Sequence, residues 1–287
     1  MSISQNNSTV RRIHIPRDDT NRKIKFCSNE ISTCKYNAFT FLPRFLYEQF
    51  RRYNNIFFLT IAVLQQIPDV SPTGRYTTAV PFVLILAVSA LKEIFEDIKR
   101  RRADYKVNSF STTLLENNSW TPREWREIRV GDVVRVDNDQ LFPADMMLLA
   151  SSEPQSMCYI ETSNLDGETN LKIKQALPVT SSMTTLEKIS DFKAIIECEL
   201  PNRHVNEFTG NLIYQDNRIP FGIDQLLLRG ARLKNTPWIF GAVVYTGHDA
   251  KLLMNSKTAP LKSATVDVKT KQSHYLPVFR ITFISSC

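Results

Sequence analysis

The sequence predicts an α+β chain in which a membrane α-helical hairpin precedes a mainly β domain. Three observations carry this. Apolar residues run through 56–64 and again through 77–91. Basic residues bracket that pair, with Arg44, Arg51 and Arg52 before it and Lys99, Arg100, Arg101 and Arg102 after it. From residue 107 onward, short runs rich in Val, Ile, Leu and Thr alternate with turn residues.

Residues 1–40 read as a tail that packs in part on the β domain. Its first nine residues are Ser- and Asn-rich and read as disordered. Within 11–26, the alternation Arg12-Ile13-His14-Ile15 supplies a strand for the later domain. The hairpin with its stalk occupies 41–106. Pro43 suits the first turn of a helix. Phe45, Leu46 and Phe50, set among Arg44, Arg51 and Arg52, make that helix an amphipathic lead-in at a membrane interface.

The first apolar run alone, about 14 Å as helix, is short against a hydrocarbon core of about 30 Å. Joined to the lead-in and to 65–67, it makes a span. The second run continues through Leu91, Ile94, Phe95 and Ile98 at helical spacing, among Lys92, Glu93, Glu96, Asp97 and Lys99. That predicts one long helix whose far half is an amphipathic stalk. Hydropathy by itself also fits two buried helices of a soluble bundle. Charge placement favours the hairpin: the connection 66–76 carries Arg75, opposed by Asp69, so both ends face the cytosol. Pro68, Ser71-Pro72 and Gly74 make the connection a turn. The sequon Asn117-Asn118-Ser119 would then stay without sugar. Two readings of Gln65-Gln66 stand: interfacial amides bonded to water, or donors to a lipid headgroup.

The β domain is assigned to 107–268. Strand candidates lie at 112–115, 133–136, 146–150, 157–160, 171–173, 194–200, 212–215, 225–228 and 238–245. Many short strands at this spacing predict a sandwich or jelly roll. Residues 179–188 read as a Ser/Thr-rich loop with one short helix. Residues 269–287 form a separate tail, whose apolar residues are too few and too interrupted by Pro277 and Arg280 for a span.

The net charge of +7 admits an anionic membrane face or nucleic acid as partner. The basic stretches 11–35 and 92–106 lack the interleaved aromatics of a single-strand groove, so nucleic acid is not expected. Cys27, Cys34, Cys158, Cys198 and Cys287 form no C-x-x-C pair, and His14, His204, His248 and His274 show no ligand spacing, so no metal site is expected.

The stretch Thr162-Ser163-Asn164-Leu165-Asp166-Gly167-Glu168-Thr169-Asn170-Leu171-Lys172 lies between two strand candidates. Asp166-Gly167 is a turn signal, because glycine accepts positive φ. The loop therefore exposes Glu168. A carboxylate held on a rigid turn can position or deprotonate water. The plainer reading is a solvated acidic turn.

That loop follows Val130-Gly131-Asp132-Val133-Val134-Arg135-Val136 and Phe142-Pro143-Ala144-Asp145-Met146-Met147-Leu148-Leu149. The combination resembles the actuator domain of P-type ATPases. D-G-E-T-N-L-K is closest to the type-four branch, the phospholipid flippases, where ion pumps mostly carry T-G-E-S. The segments around Lys35-Tyr36-Asn37, Phe41-Leu42-Pro43, Pro201-Asn202-Arg203-His204 and Gly247-His248-Asp249 also resemble that branch, and the likeness runs from about 11 to about 268.

The resemblance implies an actuator fold, a distorted jelly roll. It implies ATP-driven movement of phospholipid, an aminophospholipid being suspected, from the exoplasmic to the cytosolic leaflet. Glu168 would orient the water that attacks an aspartyl phosphate on another domain. Gly167 would permit close approach, with Asp166 and Thr169 shaping the loop, and Gln65 and Gln66 would take part in headgroup selection. ATP and Mg serve the intact enzyme, but D-K-T-G-T is absent from this chain, which alone is expected to be inactive. A glycosylated accessory subunit and residence in the plasma membrane, Golgi or endosomes are further implications. The competing reading is a truncated, membrane-anchored form that regulates or competes with the intact flippase.

Overall fold

A computed structural model describes residues 10–18, 21, 24, 26–37, 39–67 and 74–255. The N-terminal nine residues, residues 68–73 of the expected turn at 66–76 and the tail 269–287 lie outside the described residues. Two units are found: among the described residues, one holds those up to 31 and 105–255, the other 32–104.

In the first unit, alternation of apolar side chains builds three antiparallel sheets. Strands β1 (Val10–Ile15), β8 (Ala194–Glu199), β9 (Thr209–Tyr214) and β10 (Asn217–Gly222) form one, in that order. The central sheet runs β11 (Leu226–Leu227), β5 (Asp145–Ser151), β13 (Trp238–Tyr245), β4 (Val133–Asp137), β2 (Ser111–Glu116), β3 (Ser119–Glu124). The third is β12 (Arg232–Lys234), β6 (Met157–Glu161) and β7 (Leu171–Gln175).

Strand β5, D-M-M-L-L-A-S, is buried at every position because both its faces are covered. Met147 and Leu149 join one core with Ile13, Ile15, Ile196, Leu212 and Phe221. Met146 and Leu148 join another with Cys158, Ile160 and Leu233. Successive side chains point to opposite faces, so the central sheet is packed by the four-stranded sheet on one face and the three-stranded sheet on the other. The expected sandwich or jelly roll takes the form of three antiparallel sheets, the central one covered on both faces.

The first strand expected in the tail is β1, which pairs with β8 from Val10↔Glu199 to Ile15↔Ala194. Strands β3 and β10 were not among the sequence candidates. Each contains a proline, Pro122 or Pro220, and each stands at the edge of its sheet, where the missing N–H is tolerated. Each is entered by a two-residue turn with positive φ at both positions: Asn117-Asn118 (48° and 59°) and Gln215-Asp216 (50° and 64°). Such turns match the twist of paired strands.

Buried polar groups tie the sheets to the segments around Asn29 and Lys251. Asp145 accepts the backbone N–H of Arg229 and of Lys251, each at 2.8 Å. Asn29 donates to the Trp125 carbonyl at 2.7 Å and accepts from Arg229 Nη1 at 2.6 Å and from Gly247 N at 3.0 Å. Burial pushes both Asp145 and Asp132 up to about 6. Because each pKa is raised on folding, the folded state binds protons that the unfolded chain releases between about pH 4 and 6. Stability is therefore greatest on the acid side of that window and falls as pH rises through 6. Urea unfolding of the chain in detergent, read by Trp120, Trp125 and Trp238 emission, should show a higher midpoint at pH 5 than at pH 7. The expected gain is about 1–3 kcal/mol. A lower midpoint at pH 5 would contradict the burial effect.

The second unit contains α1 (Phe41–Phe50), α2 (Tyr53–Leu64) and most of α3 (Ala79–Asn108). The stalk expected from the spacing is continuous with the second apolar run in the single 30-residue helix α3, about 45 Å long. The extended segment before α1 hydrogen-bonds to one side of α3. Thr33 N donates to Asp104 at 2.7 Å, and Lys35 N donates to Asp97 at 2.9 Å. Lys35 Nζ bridges Glu48 and Glu93, and Tyr36 Oη donates to Glu93 at 2.9 Å.

No described helix is long and apolar enough to cross a membrane. The sequence accounts for this. Helix α2 has 12 residues, about 18 Å. The apolar part of α3 ends at Leu91, and Lys92, Glu93, Glu96 and Asp97 follow at once. Val80, Val83, Leu84, Ile85, Val88 and Leu91 are nevertheless exposed on α3.

Candidate functional site

The candidate site is the loop that joins β6 to β7. The two strands pair from Met157↔Gln175 to Glu161↔Leu171, so the loop leaves and re-enters the sheet at one fixed point. It opens with one helical turn, α4 (Ser163–Asp166). Gly167 ends that turn at φ 78°, ψ 1°, in the left-handed region, and its N–H bonds to the Ser163 carbonyl at 3.1 Å. This is the usual glycine stop of a helix. A β-carbon there would meet nothing within 4 Å, so backbone conformation and not crowding selects glycine.

Asp166 is the hub of the loop. Its Oδ2 accepts from Thr162 Oγ1 at 2.9 Å and from Lys172 Nζ at 2.6 Å. Its Oδ1 accepts the Glu168 N–H at 2.9 Å. The Lys172 ammonium, followed by the Glu168 N–H, holds the Asp166 carboxyl down at about 2. Glu168 stands exposed, its side chain 60% accessible, with Oε2 3.0 Å from Lys172 Nζ. Oε1 of Glu168 and the side chain of Thr169 have no hydrogen bond among the described residues. The loop therefore brings Asp166, Gly167 and Glu168 together, with Thr169 next in chain but not tied in by its side chain.

Sequence reasoning gave Lys172 no part in the site and passed over Thr162. The signal for Thr162 was its place four residues before Asp166. Lys172 is a strand residue, and the register that sets it opposite Ile160 is what brings its side chain to the loop.

Gln65 and Gln66 sit at the end of α2 in the second unit. Gln65 is buried and accepts weakly from Thr78 N at 3.4 Å. Gln66 is exposed and donates from Nε2 to the Arg75 carbonyl at 2.9 Å. Both amides thus reach the returning chain before α3. Among the described residues, no cluster of three acidic, His or Cys groups could hold a metal ion.

Residues 13–79 match the phospholipid-translocating ATPase N-terminal family, and residues 106–212 match the P-type ATPase actuator domain. The phospholipid-transporting ATPase tat-1 of Caenorhabditis elegans is 70% identical over 260 residues, covering 91% of this chain and 22% of the relative. The chain belongs to the phospholipid-transporting P-type ATPases. The phospholipid-transporting ATPase DRS2 of Saccharomyces cerevisiae is 43% identical, covering 92% of the chain and 20% of the relative. The human phospholipid-transporting ATPase ID is 41% identical, covering 90% and 21%. The chain thus spans about a fifth of the length of the curated relatives it matches. The three-sheet unit contains the whole of the actuator match, and the loop from Thr162 to Lys172 falls inside it.

Proposed function

We propose that this chain supplies the dephosphorylation loop and the first membrane hairpin of an ATP-driven phospholipid translocase. The observation that supports it best is Glu168, an exposed carboxylate with one oxygen held by Lys172 and the other open, on a loop pinned at both ends by a hairpin. In the intact protein the loop meets an aspartyl phosphate carried by another domain. Water attacks phosphorus as Glu168 takes its proton. The bond between phosphorus and the acyl oxygen breaks, its electron pair returns to the aspartate, and inorganic phosphate leaves. Gly167 and the absence of crowding around it let the backbone approach the phosphoryl group. ATP provides that group and Mg neutralises its charge in the intact enzyme; neither is assigned to residues of this chain.

The hairpin reading joins α1 and α2 into one entering span and treats the exposed apolar face of α3 as lipid-facing, with the stalk and both chain ends cytosolic. Gln65 and Gln66 then lie at the exoplasmic end, where they shape the return and face the headgroup. The lipid moves from the exoplasmic to the cytosolic leaflet, and an aminophospholipid is the proposed cargo. A glycosylated accessory subunit and a plasma-membrane, Golgi or endosomal address complete the reading.

The test is phosphoenzyme decay in the full-length protein, reconstituted in detergent with phosphatidylserine, phosphatidylethanolamine or phosphatidylcholine. An aminophospholipid should accelerate loss of acyl phosphate at least about fivefold over lipid-free protein. Acceleration by a metal cation and by no lipid would place the chain among ion pumps instead. In the same assay the 287-residue chain alone should form no phosphoenzyme.

A further inference from the structure

Lys172 stands beside the loop, at the start of the strand that follows it. It is the second residue of β7, paired with Ile160 of β6, so its Cα belongs to the sheet and not to the loop. Its ammonium nonetheless reaches back to both acidic residues, 2.6 Å from Asp166 Oδ2 and 3.0 Å from Glu168 Oε2. Two carboxylates so close repel each other unless a cation lies between them. The neighbouring Lys174 is engaged elsewhere, its Nζ donating to the Ile223 carbonyl at 2.7 Å. Glu161, at the loop's entry, is held by the Ser163 hydroxyl at 2.6 Å.

We propose that Lys172 is a positioning residue for phosphoryl hydrolysis, bridging Asp166 to Glu168 so that the second Glu168 oxygen is presented to the attacking water. The proposal rests on the assignment of Glu168 to that water. Asp166 relays the constraint in two ways, through Oδ1 to the Glu168 N–H and through Oδ2 to Thr162 at the loop's entry. One lysine thereby fixes both the backbone and the side chain of the glutamate. Without it, the Glu168 carboxylate swings among rotamers in solvent, and the productive orientation becomes a minor one. Arginine can span the same two carboxylates with its fork of donors, whereas methionine keeps the stem and removes the charge.

The experiment compares Lys172→Met, Lys172→Arg, Glu168→Gln and the double variant Lys172→Met/Glu168→Gln in the full-length protein. Phosphoenzyme formation from ATP is measured first, and its decay after an ATP chase second. Lys172→Met should form phosphoenzyme at the wild-type level and lose it about tenfold more slowly, with Lys172→Arg within about threefold of wild type. The double variant should decay no more slowly than Glu168→Gln alone, because the lysine acts through the glutamate. In the 287-residue chain, Lys172→Met should also raise the Asp166 carboxyl from about 2 toward its ordinary 3.8, read by carbon NMR.

If Glu168→Gln traps phosphoenzyme and Lys172→Met decays at the wild-type rate or faster, the positioning role is wrong and the Glu168 assignment survives. If Glu168→Gln itself decays normally, the Glu168 assignment falls, and this inference falls with it. A Lys172→Met protein that forms no phosphoenzyme while Lys172→Arg does, with the double variant equally inert, would make the lysine a folding residue and overturn the proposal.

Discussion

Glu168→Gln in the full-length protein should leave phosphorylation by ATP intact and slow loss of the acyl phosphate by about a hundredfold or more. That magnitude is the usual cost of losing a positioned acid–base group. The amide keeps the size of the side chain and the exposed, uncrowded setting of the loop. It removes the proton acceptor and weakens the 3.0 Å contact with Lys172. Lipid-stimulated turnover should fall in step, because the cycle halts with phosphate attached. Decay at the wild-type rate would remove Glu168 from the chemistry.

The largest expected loss of stability lies elsewhere, at Lys251. Its side chain is wholly buried. Nζ lies 2.8 Å from Glu199 Oε1, 2.7 Å from Asn202 Oδ1, 3.0 Å from the His204 carbonyl and 2.9 Å from the Glu207 carbonyl, so its three N–H donors are shared among four acceptors. The segment from Glu199 to Glu207 thus winds around one ammonium. Lys251→Met fills the same channel and leaves four acceptors facing an apolar methyl sulfide. Removing one partner of such a buried set costs about 3–5 kcal/mol. For a unit of this size that corresponds to a Tm lower by roughly 10 °C. Thermal unfolding of the chain in detergent, followed by tryptophan emission, measures it. A loss below about 1 kcal/mol would mean that the segment is held by its own backbone.

What could be read from the sequence followed local chemistry. The alternation in Arg12-Ile13-His14-Ile15 announced β1, and the Asp166-Gly167 dipeptide announced a left-handed stop with an exposed glutamate after it. The helical spacing of Leu91, Ile94, Phe95 and Ile98 announced the continuous α3. What was hidden depended on sheet position. Pro122 and Pro220 argue against a strand until the strand is known to be an edge. The Gln215-Asp216 turn lacks the glycine that usually marks a hairpin. The third sheet follows from the pairing of β12 with β6, and Arg-Leu-Lys carries no periodic signal over so few residues. Within the candidate site, the acidic residues were legible as types. The grip of Lys172 was not, since it arises from the register of two strands and not from spacing along one.

The same grip bears on how long the loop stays chemically whole. Among aspartyl dipeptides, Asp-Gly is the one that cyclises most readily to a succinimide, by attack of the glycine nitrogen on the preceding side-chain carbonyl carbon. Here the Asp166 oxygens are occupied by Thr162, Glu168 and Lys172, and the Gly167 nitrogen is engaged with the Ser163 carbonyl. Neither reacting group is free to turn toward the other, and the carboxylate is held in its ionised, less electrophilic form. The contacts that shape the loop also slow its ageing to isoaspartate, a lesion that would insert an extra backbone carbon two residues before Glu168.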